Sequence, residues 1–395
     1  MKYTFFSLTL FMIFMGCDTK PKVIQPAKNT YEGGQYNTAS LNIASRVTIS
    51  DCEKAKNVIF LIGDGMGLTQ VSAAAIKNEN NLYLMKFPVI GIHNCQASNN
   101  LITDSAAGAT AFATGKKTFN GAIGLAADSS AHQTILETCE ELGMATGMVA
   151  TSTIVHATPA SFISHRPSRK QYEDIAADFM DTEIDYFVGG GKKFFDRRSK
   201  DERNLVEEMK AKGYVVKDYF NEDFQDLRID SKSNFAYFTA DDDPIPQSKG
   251  RNYLFSASKA GMEFLKVHDD PNDNKGFFMM IEGSQIDWGG HANNADYVIS
   301  ELLEFDNVVG EALRFAKEDG ETLVLVTADH ETGGMAINSG STKDSLNISF
   351  SSGYHTATMI PVYAYGPGAE VFSGVYDNTA IYDKLLQVLH ISVNK

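Results

Sequence analysis

From about residue 55 the chain alternates short, continuous apolar runs with segments in which apolar residues recur every three or four positions. Continuous runs suit strands covered on both faces, whereas the three-to-four spacing lays an apolar stripe along one side of a helix. The runs predict strands at 58–62, 148–151, 186–188, 277–281, 323–326 and 361–365. The helical spacing predicts helices at 105–114, 133–142, 204–212, 256–267, 295–316 and 379–389. Strands and helices taking turns in this way argue for an α/β fold, a large central and mostly parallel sheet with helices on both faces. No internal repeat is present.

The first residues follow another pattern. Lys2 precedes an uncharged, largely apolar run at 5–15, long enough for a signal peptide and too short to span a bilayer. Phe14-Met15-Gly16 followed by Cys17 resembles the lipobox of bacterial lipoproteins, which implies removal of residues 1–16 and a lipid anchor on Cys17. Residues 18–40 carry Pro21, Pro26, Gly33 and Gly34 without an apolar period. We read 17–45 as a tether that holds one domain, 46–395, off a membrane. The expectation is an exported protein, periplasmic or on the outer membrane or cell surface. Cys52, Cys95 and Cys139 then remain, which allows at most one internal disulfide, and their spacing fits no zinc finger.

Charge narrows the partners. The chain has 35 Lys+Arg against 50 Asp+Glu, a formal net charge of -15, which disfavours specific nucleic acid binding. An acidic chain still binds anions where metal ions reverse the sign locally. The acidic runs 241–243 and 269–273 lack the Gly and distal Glu of a calcium loop and read as solvated surface.

Polar residues fall where such a sheet puts its chemistry. Asp64, the pair His156 and Thr158, Glu282, and Asp329-His330 each lie just past the carboxyl end of a predicted strand. In an open α/β sheet those ends face one crevice, so distant positions converge there. Taken singly, each has a plainer reading. Asp64, between Gly63 and Gly65, also suits a helix N-cap, and Asp287 with His291, at i and i+4, also suits a surface pair. Ser105, at the start of a helix that Thr103 or Asp104 caps, is placed as a nucleophile or as a second cap. Taken together, three histidines and four carboxylates suit two borderline-soft cations and one hard cation.

Six motifs in order carry a resemblance. They are Gly-Asp-Gly-Met-Gly at 63–67, Thr-Asp-Ser-Ala-Ala at 103–107, His-Ala-Thr-Pro-Ala at 156–160, Glu-Gly-Ser-Gln-Ile-Asp at 282–287 with His291, Thr-Ala-Asp-His-Glu-Thr-Gly-Gly at 327–334, and Gly-Tyr-His-Thr at 353–356. The chain resembles the alkaline phosphatases from about residue 55 to its end. The resemblance implies a homodimeric phosphomonoesterase with two zinc ions and one magnesium ion. Ser105 matches the phosphorylated nucleophile. Asp287, His291 and His355 match the ligands of one zinc, and Asp64, Asp329 and His330 those of the other. Asp64, Thr158 and Glu282 match the magnesium site, beside which stand His156 and Trp288. Arg169 matches the phosphate clamp, with Arg166 the neighbouring alternative.

The larger members of that family carry an insertion, the crown, before the last zinc ligand. Only residues 331–354 separate His330 from His355 here, which implies a compact variant with little or no crown. A sulfatase is disfavoured because no Cys/Ser-x-Pro-x-Arg pentapeptide is present. A phosphodiesterase of the same superfamily, or a lipoprotein that binds phosphate or metal without turnover, remains as an alternative.

Overall fold

The computed structural model describes residues 53–268 and 275–392. The expected signal peptide at 1–16, Cys17, the expected tether at 17–45, Cys52 and the acidic run 269–273 lie outside the described residues. Fourteen strands follow in chain order: Asn57–Gly63 (β1), Val89–Asn94 (β2), Ala145–Thr153 (β3), Tyr186–Gly190 (β4), Val215–Asp218 (β5), Phe235–Phe238 (β6), Phe277–Gly283 (β7), Thr322–Thr327 (β8), Glu331–Thr332 (β9), Met335–Ile337 (β10), Ile348–Phe350 (β11), His355–Thr356 (β12), Ile360–Tyr365 (β13) and Gly374–Asp377 (β14). Ten of them form one sheet in the order β14-β2-β13-β8-β1-β7-β3-β4-β6-β5. Only β13 runs antiparallel to its neighbours there, β2 and β8.

Alternate side chains of each central strand serve opposite faces. Val58, Phe60 and Ile62 join one apolar core, and Ile59 and Leu61 join the other. The helices Ser105–Thr114, Ile135–Glu141, Leu205–Ala211 and Ala380–Leu389 cover the first face. Leu68–Lys77, Leu254–His268 and Ala295–Asp319 cover the second. All six predicted strands lie within observed ones. The predicted helix 295–316 runs on to Asp319, where Gly320 adopts a left-handed backbone (φ 76°) and ends it.

Of the large sheet, the strands absent from the prediction, β2, β5, β6 and β14, lie toward its two ends; the short ribbons β9 with β12 and β10 with β11 are absent from it too. Gly91 interrupts β2 between Ile90 and Ile92, and β5 has only Val215 and Val216 before Lys217, so neither shows a long continuous apolar run. The run 241–243 lies in a largely exposed loop, as expected, and is paired there: Asp241 with Arg197, Asp242 with Lys193, and Asp243 accepts from the Thr153 N–H at 2.8 Å. Between His330 and His355 the chain forms only β9 to β11 and their turns, so no crown is built. Cys95 and Cys139 are both buried free thiols.

Candidate active site

The carboxyl ends of β8, β1, β7 and β3 are neighbours in the sheet, and they bring the predicted residues into one crevice. Asp64 follows β1, Asp329 and His330 follow β8, and His156 and Thr158 follow β3. Glu282 lies inside β7, one residue before its end, because that strand runs further than its apolar run. The helix Gln285–His291, formed despite Gly289 and Gly290, presents Asp287 and His291 from the β7 side. Close backbone packing is needed for this convergence. A Cβ on Gly65, which has φ +71°, would lie 2.7 Å from the Asp287 Cα, and one on Gly108 would lie 2.9 Å from the Asp329 Cβ.

Ser105 opens the helix Ser105–Thr114, whose N-cap is Asp104; the Asp104 Oδ1 accepts from the Ala107 N–H at 3.0 Å. Phe112 anchors the same helix on Phe60 with an edge-on ring contact at 5.8 Å, which fixes Ser105 relative to β1. The Ser105 Oγ is 3.4 Å from the His330 Nε2. Arg169 donates from Nη1 to the Asp104 Oδ2 at 3.2 Å and from Nη2 to the His156 Nε2 at 3.3 Å. Each terminal nitrogen keeps a second hydrogen for a ligand. Arg166 is elsewhere, forked onto Asp178. Trp288 meets His156 edge-on with ring centroids 6.1 Å apart.

Hydrogen bonding fixes the tautomers, and the tautomers show which ring nitrogens offer lone pairs to a ligand. The Nδ1 of His355 donates to the Thr103 carbonyl at 2.8 Å, and the Nδ1 of His291 donates to the Gly353 carbonyl at 2.9 Å. Both Nε2 atoms therefore present lone pairs, yet they face each other at 3.1 Å. Burial pushes the His355 imidazole down to about 4, so a proton is a poor bridge at neutral pH. The Asp287 oxygens complete this group at 3.4 Å from His291 and 3.6 Å from His355. Thr332 gives its one hydroxyl hydrogen to Asp287, so it accepts from the His330 Nδ1 at 3.2 Å. The His330 Nε2 is then another lone pair, 3.2 Å from the Asp329 Oδ2 and 3.5 Å from the Asp64 Oδ1.

Neither Asp64 oxygen has a hydrogen-bond donor, and the same holds for the Asp329 Oδ2, the Glu282 Oε1 and the Thr158 Oγ1, all buried. Burial, reinforced by Asp329, Asp287 and Glu282, pushes the Asp64 carboxyl well above its ordinary range. Asp64, His156 and Glu282 also converge within 4.8 Å of one another. Acceptors packed against acceptors are costly unless cations lie between them. The donor sets fit such cations: two nitrogen-and-carboxylate groups of borderline softness, and one oxygen-rich group around Asp64, Thr158 and Glu282.

A sequence model of the family described as alkaline phosphatase matches residues 55–347. The chain belongs to the alkaline phosphatase family. Alkaline phosphatase 3 of Bacillus subtilis is 33% identical, with 86% of this chain and 90% of that protein covered. The alkaline phosphatase of Escherichia coli is 30% identical, with 89% of each covered. Among solved structures, the alkaline phosphatase of the Antarctic bacterium TAB5 is 42% identical with a TM-score of 0.80, covering 87% of this chain and all of that one. A histidine-to-glutamate variant of that enzyme has magnesium bound in its M3 site. These relatives make this chain an alkaline phosphatase, and phosphate monoesters suit it as substrates.

The structure also shows residues to which the sequence reading gave no role. Thr332 ties Asp287 to His330. Tyr354 stacks on His355 with centroids 4.2 Å apart. Glu331 accepts from Gln70 and from the Gly334 and Met335 N–H groups, which holds the turn after His330. The signal available was position alone, since these residues adjoin the histidines in the motifs 327–334 and 353–356.

Proposed function

We propose that the protein hydrolyses phosphate monoesters to an alcohol and inorganic phosphate through a phosphoserine on Ser105, with two zinc ions and one magnesium ion. The observation that carries this reading is the Ser105 Oγ at a helix start, with the Arg169 fork near it and, beside it, a buried carboxylate and imidazole cluster in which both Asp64 oxygens and the Asp329 Oδ2 have no donor. Asp287, His291 and His355 would hold one zinc, Asp64, Asp329 and His330 the other, and Asp64, Thr158 and Glu282 the magnesium. When bound, such cations supply Lewis-acid stabilisation of oxyanions and ionise hydroxyl groups at neutral pH.

The chain's own residues do the rest. The N–H groups at the start of the Ser105 helix, with the positive end of its dipole, favour an anion there. Arg169 offers two parallel N–H donors to two equatorial phosphoryl oxygens, and Asp104 and His156 hold the guanidinium in place. The Ser105 Oγ bonds to phosphorus as the ester oxygen leaves on the opposite side; water then splits the phosphoserine.

We further propose that the chain is exported, anchored through a lipid on Cys17 in the periplasm or on the outer membrane or cell surface, and homodimeric. Lipid labelling lost in Cys17→Ala, and sizing of the purified protein, test these points. The decisive activity experiment compares nitrophenol release from the phosphate monoester, the phosphate diester and the sulfate at equal concentration. Monoester turnover dominates on this reading. Preference for the diester favours the phosphodiesterase alternative, and no turnover favours a binding protein.

A further inference from the structure

Three parallel rings run from the buried crevice to its mouth. His330 stacks on His355 with centroids 3.5 Å apart and planes 15° apart, and His355 stacks on Tyr354 at 4.2 Å and 8°. The two imidazoles are buried, whereas Tyr354 is 47% exposed, so the stack ends in an aromatic residue at the surface. His291 lies beside it, with its ring centroid 5.9 Å from that of Tyr354.

The backbone holds Tyr354 in this place. Its N–H donates to the Ser352 Oγ at 2.9 Å, its carbonyl accepts from the Gly333 N–H at 2.9 Å, and the next residue pairs with Thr332 across β12 and β9. The ribbon that carries His355 thus also carries Tyr354, which needs no rearrangement to meet a ligand.

In-line displacement by Ser105 sends the ester oxygen away from the Ser105, Asp64 and His330 side, toward Asp287, His291 and His355. The substituent on that oxygen then passes the end of the ring stack. Resting on the phosphomonoesterase reading above, we propose that Tyr354 is a specificity-determining residue that contacts the leaving group and favours planar, aromatic alcohols over aliphatic ones. A flat leaving group can extend the existing stack by one more ring, whereas a polyol gains only edge contacts.

The test compares kcat/KM for phenyl phosphate and glycerol phosphate in the wild type, Tyr354→Phe and Tyr354→Ala. Inhibition constants for phenylphosphonate and ethylphosphonate provide a readout of binding alone. Tyr354→Ala is expected to lose about 2- to 10-fold more on the phenyl compounds than on the aliphatic ones, the range of an aromatic pair contact. Tyr354→Phe, which keeps the ring, is expected to retain most of the preference. Equal losses on both classes overturn the inference and leave Tyr354 as packing for His355, and unchanged preference in Tyr354→Ala overturns it too. A wild type that hydrolyses neither ester overturns the functional reading, and this inference with it.

Discussion

Removing the cations should make stability depend on pH in a direction that the crevice itself sets. Asp64, Asp287, Asp329 and Glu282 are all pushed upward, chiefly by burial, with Glu282 at about 7. A carboxyl raised in the folded state contributes stability below its unfolded value and loses it as pH rises through the folded value. The buried imidazoles act in the opposite sense. His156 at about 3, His355 at about 4 and His330, all lowered by burial, contribute above 6.5 and lose stability as pH falls below it. Below 6.5 the two sets oppose each other. Above 6.5 only the carboxyls remain, so the chelated protein should weaken from there toward pH 8.

Each proton held by the folded state alone costs ~1.4 kcal/mol per pH unit. Glu282, with a folded value of about 7, gives about 0.8 kcal/mol across that window, and Asp64 adds to it in the same direction. At ~2.1 cal/mol/K per residue, the roughly 330 described residues convert the Glu282 share to a fall in Tm of about 1 °C. The assay is thermal unfolding of chelated and of zinc- and magnesium-loaded protein from pH 6.5 to 8. In the loaded protein the same carboxylates are already ionised, so the gap between the two curves should widen by at least that amount. A gap that stays constant or narrows with rising pH refutes the reasoning.

Two further outcomes follow from the anion side of the crevice. Arg169→Ala removes two charge-assisted donors of roughly 1.5–3 kcal/mol each, so kcat/KM for a monoester should fall about 100-fold or more, with a much smaller loss on a diester. Arg166→Ala, which breaks the fork on Asp178, should lower Tm and spare the kinetics; the reverse pattern would make Arg166 the clamp. His156 lies within 4.8 Å of Asp64 and Glu282, and its neutral imidazole suits zinc better than magnesium, so the purified enzyme should be stimulated by added magnesium and inhibited by excess zinc. His156→Asp should tighten magnesium half-saturation by about 10-fold or more, read with Trp288 emission as a local reporter; an unchanged value refutes this role for His156.

The sheet and its main helices were legible because their signals are local. The helix Ser105–Thr114 is readable to the residue, since Asp104 caps its start and Gly115, at φ 69°, ends it. Strands β2, β5 and β14 lie at or next to an edge of the sheet and were not legible, because Gly91 interrupts β2, β5 has only two apolar residues, and β14 runs from Gly374 to Asp377 with two apolar residues between. That the polar residues gather at one crevice follows from parallel strands, and the structure brings together Asp64, Glu282, Asp287, His291, Asp329, His330 and His355. What stayed hidden depends on contacts through space. Thr332 bridges Asp287 and His330 across 45 residues of chain, and the stack of Tyr354 on His355 and His330 needs the ribbon between β9 and β12 to close.

The central claim is that Ser105 carries the phosphoryl group. The protein is incubated with a labelled phosphate monoester, quenched at acidic pH and digested, and the label is mapped. The account predicts phosphate on the peptide containing Ser105. It predicts no label in Ser105→Ala, although that variant stays folded to within about 1 kcal/mol, the cost of a lost helix-start contact. Phosphate on another residue, or undiminished monoester turnover in Ser105→Ala, would contradict it.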